Sequence, residues 1–312
     1  MKPDKSKTTD FSRGRHKDML VWQRKRLWTE EAIERYAKWL NLSPGMIAVD
    51  IGCGLGFLGY SYWKYFGKGG HYIGIDIKQG LLKDAREASK KWATGGKADF
   101  TTGDVYNLPI PDCCADWAMC QTLMIHLENP KLALSEMIRI LKPGGLLLCI
   151  EPDNLRPALD WVFSSLPKLD LETQLLFYKV NTIANDGRIK MGRGDRGVAP
   201  SIPHMLSELG IDDLEILTRD TVPFLEPPYK TERQQEMIAN MKKHVLNDEN
   251  FNAMYDEFKE EFINGGGNIR EFDKLYEISK NLREIQLQQM ENKEFFICGA
   301  HPIYLFKGRK AK

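Results

Sequence analysis

Val49-Asp50-Ile51-Gly52-Cys53-Gly54-Leu55-Gly56-Phe57-Leu58-Gly59 is the stretch on which the reading of the whole chain turns. A short apolar strand, Met46 to Ile51, runs directly into a glycine cluster, and Phe57 to Phe66 then reads as a helix closed by Gly67, Gly69 and Gly70. Glycine lets the backbone turn sharply and lets a ligand lie close to the main chain, here at the positive end of the following helix. The segment is therefore a binding loop between a strand and a helix.

Strands and helices keep alternating on both sides of this loop. Before it, Thr29 can cap a helix carrying Ile33, Tyr36, Ala37 and Leu40, which Asn41, Pro44 and Gly45 end. After it come a strand at His71 to Ile77 and an amphipathic helix at Gly80 to Ala93, then strands at Ala98 to Gly103 and Ala115 to Leu123. Asn129-Pro130 starts a further helix, with Asn as cap and Pro preset in the first turn. Lys142-Pro143-Gly144-Gly145 stops that helix, and Leu146 to Ile150 is a strand apolar on both faces. Strands separated by helices imply right-handed crossovers, and so a doubly wound α/β fold with a mostly parallel sheet.

Two ligand classes suit the glycine loop. Gly54-x-Gly56-x-x-Gly59 matches the dinucleotide fingerprint, with Asp76 at a strand end about 20 residues on, where a ribose-binding carboxylate belongs. Asp50 favours the other class. A carboxylate two residues before the first glycine opposes a pyrophosphate but suits a ligand carrying an ammonium and a sulfonium. Val-Asp-Ile-Gly-Cys-Gly-Leu-Gly resembles the first motif of class I S-adenosylmethionine-dependent methyltransferases, and four further stretches agree in order and spacing. Gly74-Ile75-Asp76-Ile77 resembles the second motif. Gly103-Asp104-Val105, followed by Leu108-Pro109, resembles the segment that meets adenine. Gln121 to Leu127 resembles the end of the fourth strand, and Leu141 to Gly145 the turn into the fifth.

The resemblance covers residues 45–151 and implies a Rossmann-like, seven-stranded methyltransferase fold with S-adenosyl-L-methionine as cofactor. It also implies roles. Gly52, Cys53, Gly54 and Gly56 would line the methionine and ribose part of the cofactor. Asp50 would act on the amino group, and Asp76, with Ile77 beside it, would accept from the ribose hydroxyls, since a vicinal diol calls for a bidentate acceptor. Asp104 would take the adenine amine with the Val105 amide near a ring nitrogen, and Gln121 would offer its main chain near the methionine end. Methyl transfer needs mainly alignment and exclusion of water, with a general base where the acceptor is a hydroxyl or an acidic carbon. His126, Glu151 and Asp153, at or just past strand ends on the ligand-binding edge, are the candidates for that base.

After Glu151 the rhythm breaks. An apolar helical stretch, Leu155 to Val180, precedes a polar loop, Asn185 to Gly197, in which Arg188, Lys190, Arg193 and Arg196 could clamp an anionic substrate group. A helix at Ser201 to Leu209 and a strand at Leu214 to Thr218 resume the α/β pattern. A charged helical segment broken at Gly265-Gly266-Gly267 follows, and Glu294 to Phe306 closes the chain with strand character. The expected organisation is a basic arm, 1–28, and one methyltransferase domain, 29–312, with helical cap insertions at 152–200 and 228–293.

The bulk properties bound the function. Apolar residues make up 42% of 312, charged residues 28%, and the net charge is +1, which argues against a general nucleic-acid surface. The first 26 residues are the exception, with nine Lys and Arg against three Asp. No apolar run has the length of a membrane span, and the amino terminus lacks a secretory pattern, so a cytoplasmic location is expected. The six cysteines follow no zinc spacing and the histidines no ligand pairing, so no metal is expected. The expected activity is methyl transfer to a small organic acceptor. The alternatives are transfer to protein or RNA, which the basic arm would serve, and a nicotinamide-dependent oxidoreductase, which the second glycine pattern would serve.

Overall fold

The computed structural model describes residue 21 and residues 28–155, 165–219, 222, 224–299 and 302–312. Nearly all of the basic arm, and residues 156–164 of the apolar stretch, lie outside them. The described chain divides into two compact units. The first holds 28–152, Val198–Arg219 and Ile303–Lys312, and the second holds Asp153–Gly197 with Asp220–Pro302.

The first unit is built on a seven-stranded sheet. In chain order it contains α1 (Glu30–Leu40), β1 (Ile47–Ile51), α2 (Phe57–Phe66), β2 (His71–Asp76), α3 (Gln79–Ser89), β3 (Lys97–Thr102) and β4 (Ala115–Gln121). A single 3-10 turn, Met124–His126, then leads to α4 (Pro130–Ile140) and β5 (Leu141–Pro152). The strand order is β3-β2-β1-β4-β5, completed by β9 (Ile303–Lys310) and the edge strand β6 (Ile211–Thr218), which α6 (Ile202–Glu208) precedes. β1 to β5 pair in parallel, while β9 runs antiparallel between β5 and β6. This is the doubly wound, mostly parallel sheet that the alternation of elements predicts.

Alternation along the strands sends side chains into two separate cores. Ala48, Tyr72, Trp117, Met119, Leu146 and Leu148 face α1, α2 and α3 through Tyr36, Leu40, Tyr62, Phe66 and Leu82. Val49, Ile51, Ala118, Cys120, Leu147 and Cys149 face α4 and α6 through Met137, Ile140, Ile202 and Leu206. Strands covered on both faces are continuously apolar, which is why β4 and β5 show no polar alternation in sequence. Local chemistry sets the helix starts: the Thr29 side chain accepts the Ala32 amide, and Asn129 accepts that of Leu132 with Pro130 in the first turn.

The second unit is helical. It holds α5 (Leu171–Lys190), the two-strand ribbon of β7 (Phe224–Leu225) and β8 (Ile297–Cys298), and α7 (Glu232–His244), α8 (Asp248–Asn264) and α9 (Ile269–Glu291). Leu176, Val180 and Ala184 of α5 pack with Phe262 of α8 and with Phe272 and Leu275 of α9. α5 and α8 touch backbone to backbone, since a Cβ on Gly187 would lie 1.8 Å from the Glu261 carbonyl and one on Gly265 would lie 2.0 Å from that of Ile183. No helix among the described residues is long and apolar enough to cross a membrane.

Three local expectations are corrected. Asn185 to Lys190 is the last part of α5, and the loop proper begins after it, because the helix-to-helix contact at Gly187 overrides the turn character of Asn-Asp-Gly. The helix also starts later than the apolar stretch suggests, at Leu171 with Asp170 as its cap. Lys142 to Gly145 is absorbed into β5, where Leu141 pairs with Ala115 and the register shifts before Leu146 pairs with Trp117.

Candidate functional site

The carboxyl ends of β1 to β5 lie side by side, and this edge gathers the glycine loop, Asp76, Asp104, Gln121 and Glu151. The loop is pinned across β2: the amides of Gly52 and Cys53 both donate to the Ile75 carbonyl, at 2.8 and 3.0 Å. Gly52, Gly54 and Gly56 have φ of +70, +54 and +75°, a region in which a side chain is strained. Around Gly54 a Cβ would meet nothing within 4 Å, so the loop presents bare backbone to open space there. At Gly52 a Cβ would lie 2.9 Å from Leu123 Cδ1, so the loop rests on the segment following β4.

Asp76 closes the loop from the end of β2. Its Oδ2 accepts the Gly54 amide at 2.9 Å and its Oδ1 accepts the Lys78 amide at 2.8 Å. Burial raises the Asp76 carboxyl above its usual range, and those two amides offset only part of the rise. The next residue, Ile77, is 40% exposed, which leaves an apolar side chain open beside the carboxylate. On the neighbouring segment Asp104 Oδ1 accepts the Tyr106 amide at 3.0 Å, and Asp104 bridges to Asn107, so the Asp104–Val105 corner is a formed turn.

Asp50 lies beneath the loop, only 2% exposed, and accepts the Tyr72 hydroxyl at 2.7 Å. Cys53 is buried, with burial pushing its thiol well up, so it behaves as a small apolar side chain. Gln121 is buried at the end of β4, and Thr122 turns the chain with φ +53° while its amide donates to the Ile150 carbonyl at 2.8 Å.

The three candidate bases differ in their surroundings. His126 is half-buried at the end of the 3-10 turn, its amide donating to the Leu123 carbonyl. Glu151 is fully buried and Oε1 accepts the amides of Leu123 and Met124 at 2.7 and 2.9 Å. This geometry makes Glu151 an anchor for the segment after β4. Asp153 belongs to the second unit, where it accepts the Leu155 amide at 3.2 Å and donates its own amide to the Pro302 carbonyl.

The cations of the expected clamp are engaged within the second unit. Arg188 Nη1 and Arg196 Nη2 lie 2.9 and 2.7 Å from the two oxygens of buried Glu261, Arg193 pairs with Glu260, and Lys190 pairs with Asp186. Burial, and then the charge of Arg196, lower the pKa of the Arg188 guanidinium. The cluster is an internal ion-pair network.

Sequence reasoning missed Tyr72, Leu123 and the anchoring part of Glu151. Tyr72 had one legible trace: Gly59, read as the last glycine of a ligand fingerprint, leaves the space that the Tyr72 ring fills, since a Cβ there would lie 2.5 Å from Tyr72 Cε2.

Part of the chain is similar to known proteins. Residues 49–149 match the family model described as a methyltransferase domain. An uncharacterized methyltransferase of Schizosaccharomyces pombe is 38% identical over 112 residues, 34% of this chain and 40% of that protein. A ubiquinone/menaquinone biosynthesis C-methyltransferase of Roseobacter denitrificans is 28% identical, over 54% of this chain and 62% of its own length. A 2-phytyl-1,4-naphtoquinone methyltransferase of Synechococcus elongatus is 32% identical, over 41% and 53%. The chain thus spans 40% to 62% of the length of these curated relatives. Among solved structures, a phosphoethanolamine N-methyltransferase of Haemonchus contortus in complex with S-adenosyl-L-methionine superposes with a TM-score of 0.51. It shares 16% identity, and the match covers 97% of this chain and 59% of that one, a likeness of fold.

Proposed function

We infer that this chain, a member of the class I S-adenosylmethionine-dependent methyltransferase family through residues 49–149, transfers a methyl group to a small organic acceptor. The observation that carries the reading is the Asp76 carboxylate held at the rim of a loop of three left-handed glycines, over buried Asp50. Bound there, S-adenosylmethionine supplies an electrophilic methyl on a sulfonium.

The residues fit that cofactor. Gly52, Cys53, Gly54 and Gly56 give a main-chain cradle for its methionine and ribose part, with Gln121 offering backbone nearby. Asp76 holds two acceptor oxygens for the ribose diol, and Ile77 offers an apolar surface to the base. Asp104 and the Val105 amide suit the adenine edge. Asp50 supplies negative charge toward the ammonium end. A dinucleotide pyrophosphate would have to approach that charge, which disfavours the oxidoreductase alternative.

Acceptor chemistry rests on the chain's own groups at the same edge. His126 is the first candidate for a general base, because Glu151 already accepts two amides. Two relatives named for quinone methylation support a small ring acceptor and set the first compounds to try.

The test is incubation of the pure protein with methyl-labelled S-adenosylmethionine, a naphthoquinol and a fractionated cell extract. Label in the small-molecule fraction is expected, and its mass identifies the acceptor. Label confined to protein or RNA overturns the small-molecule reading in favour of a macromolecular acceptor. Absence of any transfer, with cofactor binding retained, overturns the catalytic reading in favour of a cofactor sensor.

A further inference from the structure

We propose that Tyr72 is a positioning residue for the amino-acid end of the cofactor, acting through Asp50. The proposal rests on the cofactor reading above and adds to it a residue outside the glycine loop.

Tyr72 is fully buried on β2, and its hydroxyl donates to Asp50 Oδ2 at 2.7 Å. The ring is held on several sides. It sits 5.7 Å from the Trp92 ring and 5.6 Å from that of Phe100, and against Gly59, where any side chain would collide with it. A ring so enclosed has one place for its hydroxyl, under the loop, 3.7 Å from where a Cβ on Gly56 would stand. Core packing alone would be met by phenylalanine. The hydroxyl is the part that packing does not require.

Its chemistry fits a specific task. Burial and the neighbouring Asp50 push the phenol pKa up, so it stays a protonated donor at neutral pH. A donor hydrogen bond favours the ionised form of a buried carboxylate and fixes its orientation. A phenol does so without bringing a positive charge, so this bond leaves the negative charge of Asp50 in place. A lysine or arginine in the same position would orient the carboxylate but cancel its field. An oriented, charged carboxylate two residues before the loop is what a ligand ammonium group calls for, whereas the nucleoside end of the same ligand has no use for it.

That asymmetry gives the test. Full-length protein and its Tyr72→Phe variant are titrated calorimetrically with S-adenosylhomocysteine and, separately, with methylthioadenosine, which keeps the nucleoside but lacks the amino-acid group. The variant should bind S-adenosylhomocysteine about tenfold more weakly, the scale of one hydrogen bond to a charged group, with methylthioadenosine affinity unchanged. Asp50→Asn, which keeps the size and can still accept from the phenol, should show the same selective loss, and it serves as the test if Tyr72→Phe does not fold. Equal weakening of both ligands would overturn the proposal, because the hydroxyl would then support only the loop's fold. So would no weakening of either. A wild-type protein that binds neither ligand would instead sink the cofactor reading itself, and the proposal with it.

Discussion

Glu151 at the end of β5 holds the main chain of Leu123, one segment away, through a hydrogen bond of 2.7 Å, and the same oxygen takes the Met124 amide at 2.9 Å. Leu123 in turn supports the glycine loop at Gly52. A carboxylate at the carboxyl edge of the sheet therefore organises backbone here, one contact removed from the loop.

Two substitutions separate this part from general-base catalysis. Glu151→Gln keeps an oxygen for both amides and should retain most of the turnover, whereas loss of a general base costs about a hundredfold or more. Glu151→Ala strands one buried and one half-buried amide and should destabilise the fold by about 3 kcal/mol, read by thermal or urea unfolding. A silent unfolding profile for Glu151→Ala, with turnover lost in Glu151→Gln, would make Glu151 the base after all.

The pH dependence of cofactor binding should follow Asp76. Burial raises its carboxyl, so between the ordinary carboxylate value and the raised one the folded protein keeps a proton that the unfolded chain has released. In that window Asp76 costs stability as pH rises. The form that would accept from a ribose diol, however, is the ionised one. S-adenosylhomocysteine affinity should therefore fall on acidification, beginning at a higher pH than an exposed carboxylate would give. Asp76→Asn should bind weakly and lose this dependence. Titrations across about pH 4 to 7 check it, and a flat wild-type profile would remove Asp76 from the ligand contacts.

Much of this site could be read from residues alone where local pattern and tertiary structure agree. Phe57 to Phe66 is a helix in both, bounded by glycines, and the buried strands β4 and β5 carry the apolar runs expected of them. Reading failed where a contact distant in sequence decides the local state. Asn185-Asp186-Gly187 has turn character, yet it is helical because Gly187 is where two helix backbones meet. Arg188, Arg193 and Arg196 look free on paper, since Glu260 and Glu261, their partners, lie more than 60 positions away by the numbering. Tyr72 looked like any core aromatic, because nothing local says that its hydroxyl reaches Asp50. Glu151 carried the same ambiguity, its partners lying on the segment after another strand.

Glu261 should prove structural. It is 2% exposed and faces Arg188, itself 7% exposed, so Glu261→Ala leaves a buried cation without this partner, a loss of about 3–5 kcal/mol. Removing Arg193 and Arg196 by alanine should lower the melting temperature and leave the acceptor KM unchanged, because both are paired with Glu260 and Glu261. A raised KM at unchanged melting temperature would restore the anion clamp.

Gly54 and Gly45 provide a matched pair for testing the loop. Both hold positive φ, +54 and +85°, and a Cβ on either would meet nothing within 4 Å. Alanine at each should cost about 1 kcal/mol of backbone strain, with no clash to add to it. They differ in position: Gly54 follows β1 and donates its amide to Asp76, whereas Gly45 precedes β1 and donates to the Phe66 carbonyl. If the space before Gly54 receives the cofactor, a methyl group there obstructs the ligand's approach to bare backbone. Gly54→Ala should then lower both stability and S-adenosylhomocysteine affinity, while Gly45→Ala lowers stability alone. Thermal unfolding with and without ligand reads both effects, and an equal ligand-induced shift in the two variants would place the ligand elsewhere.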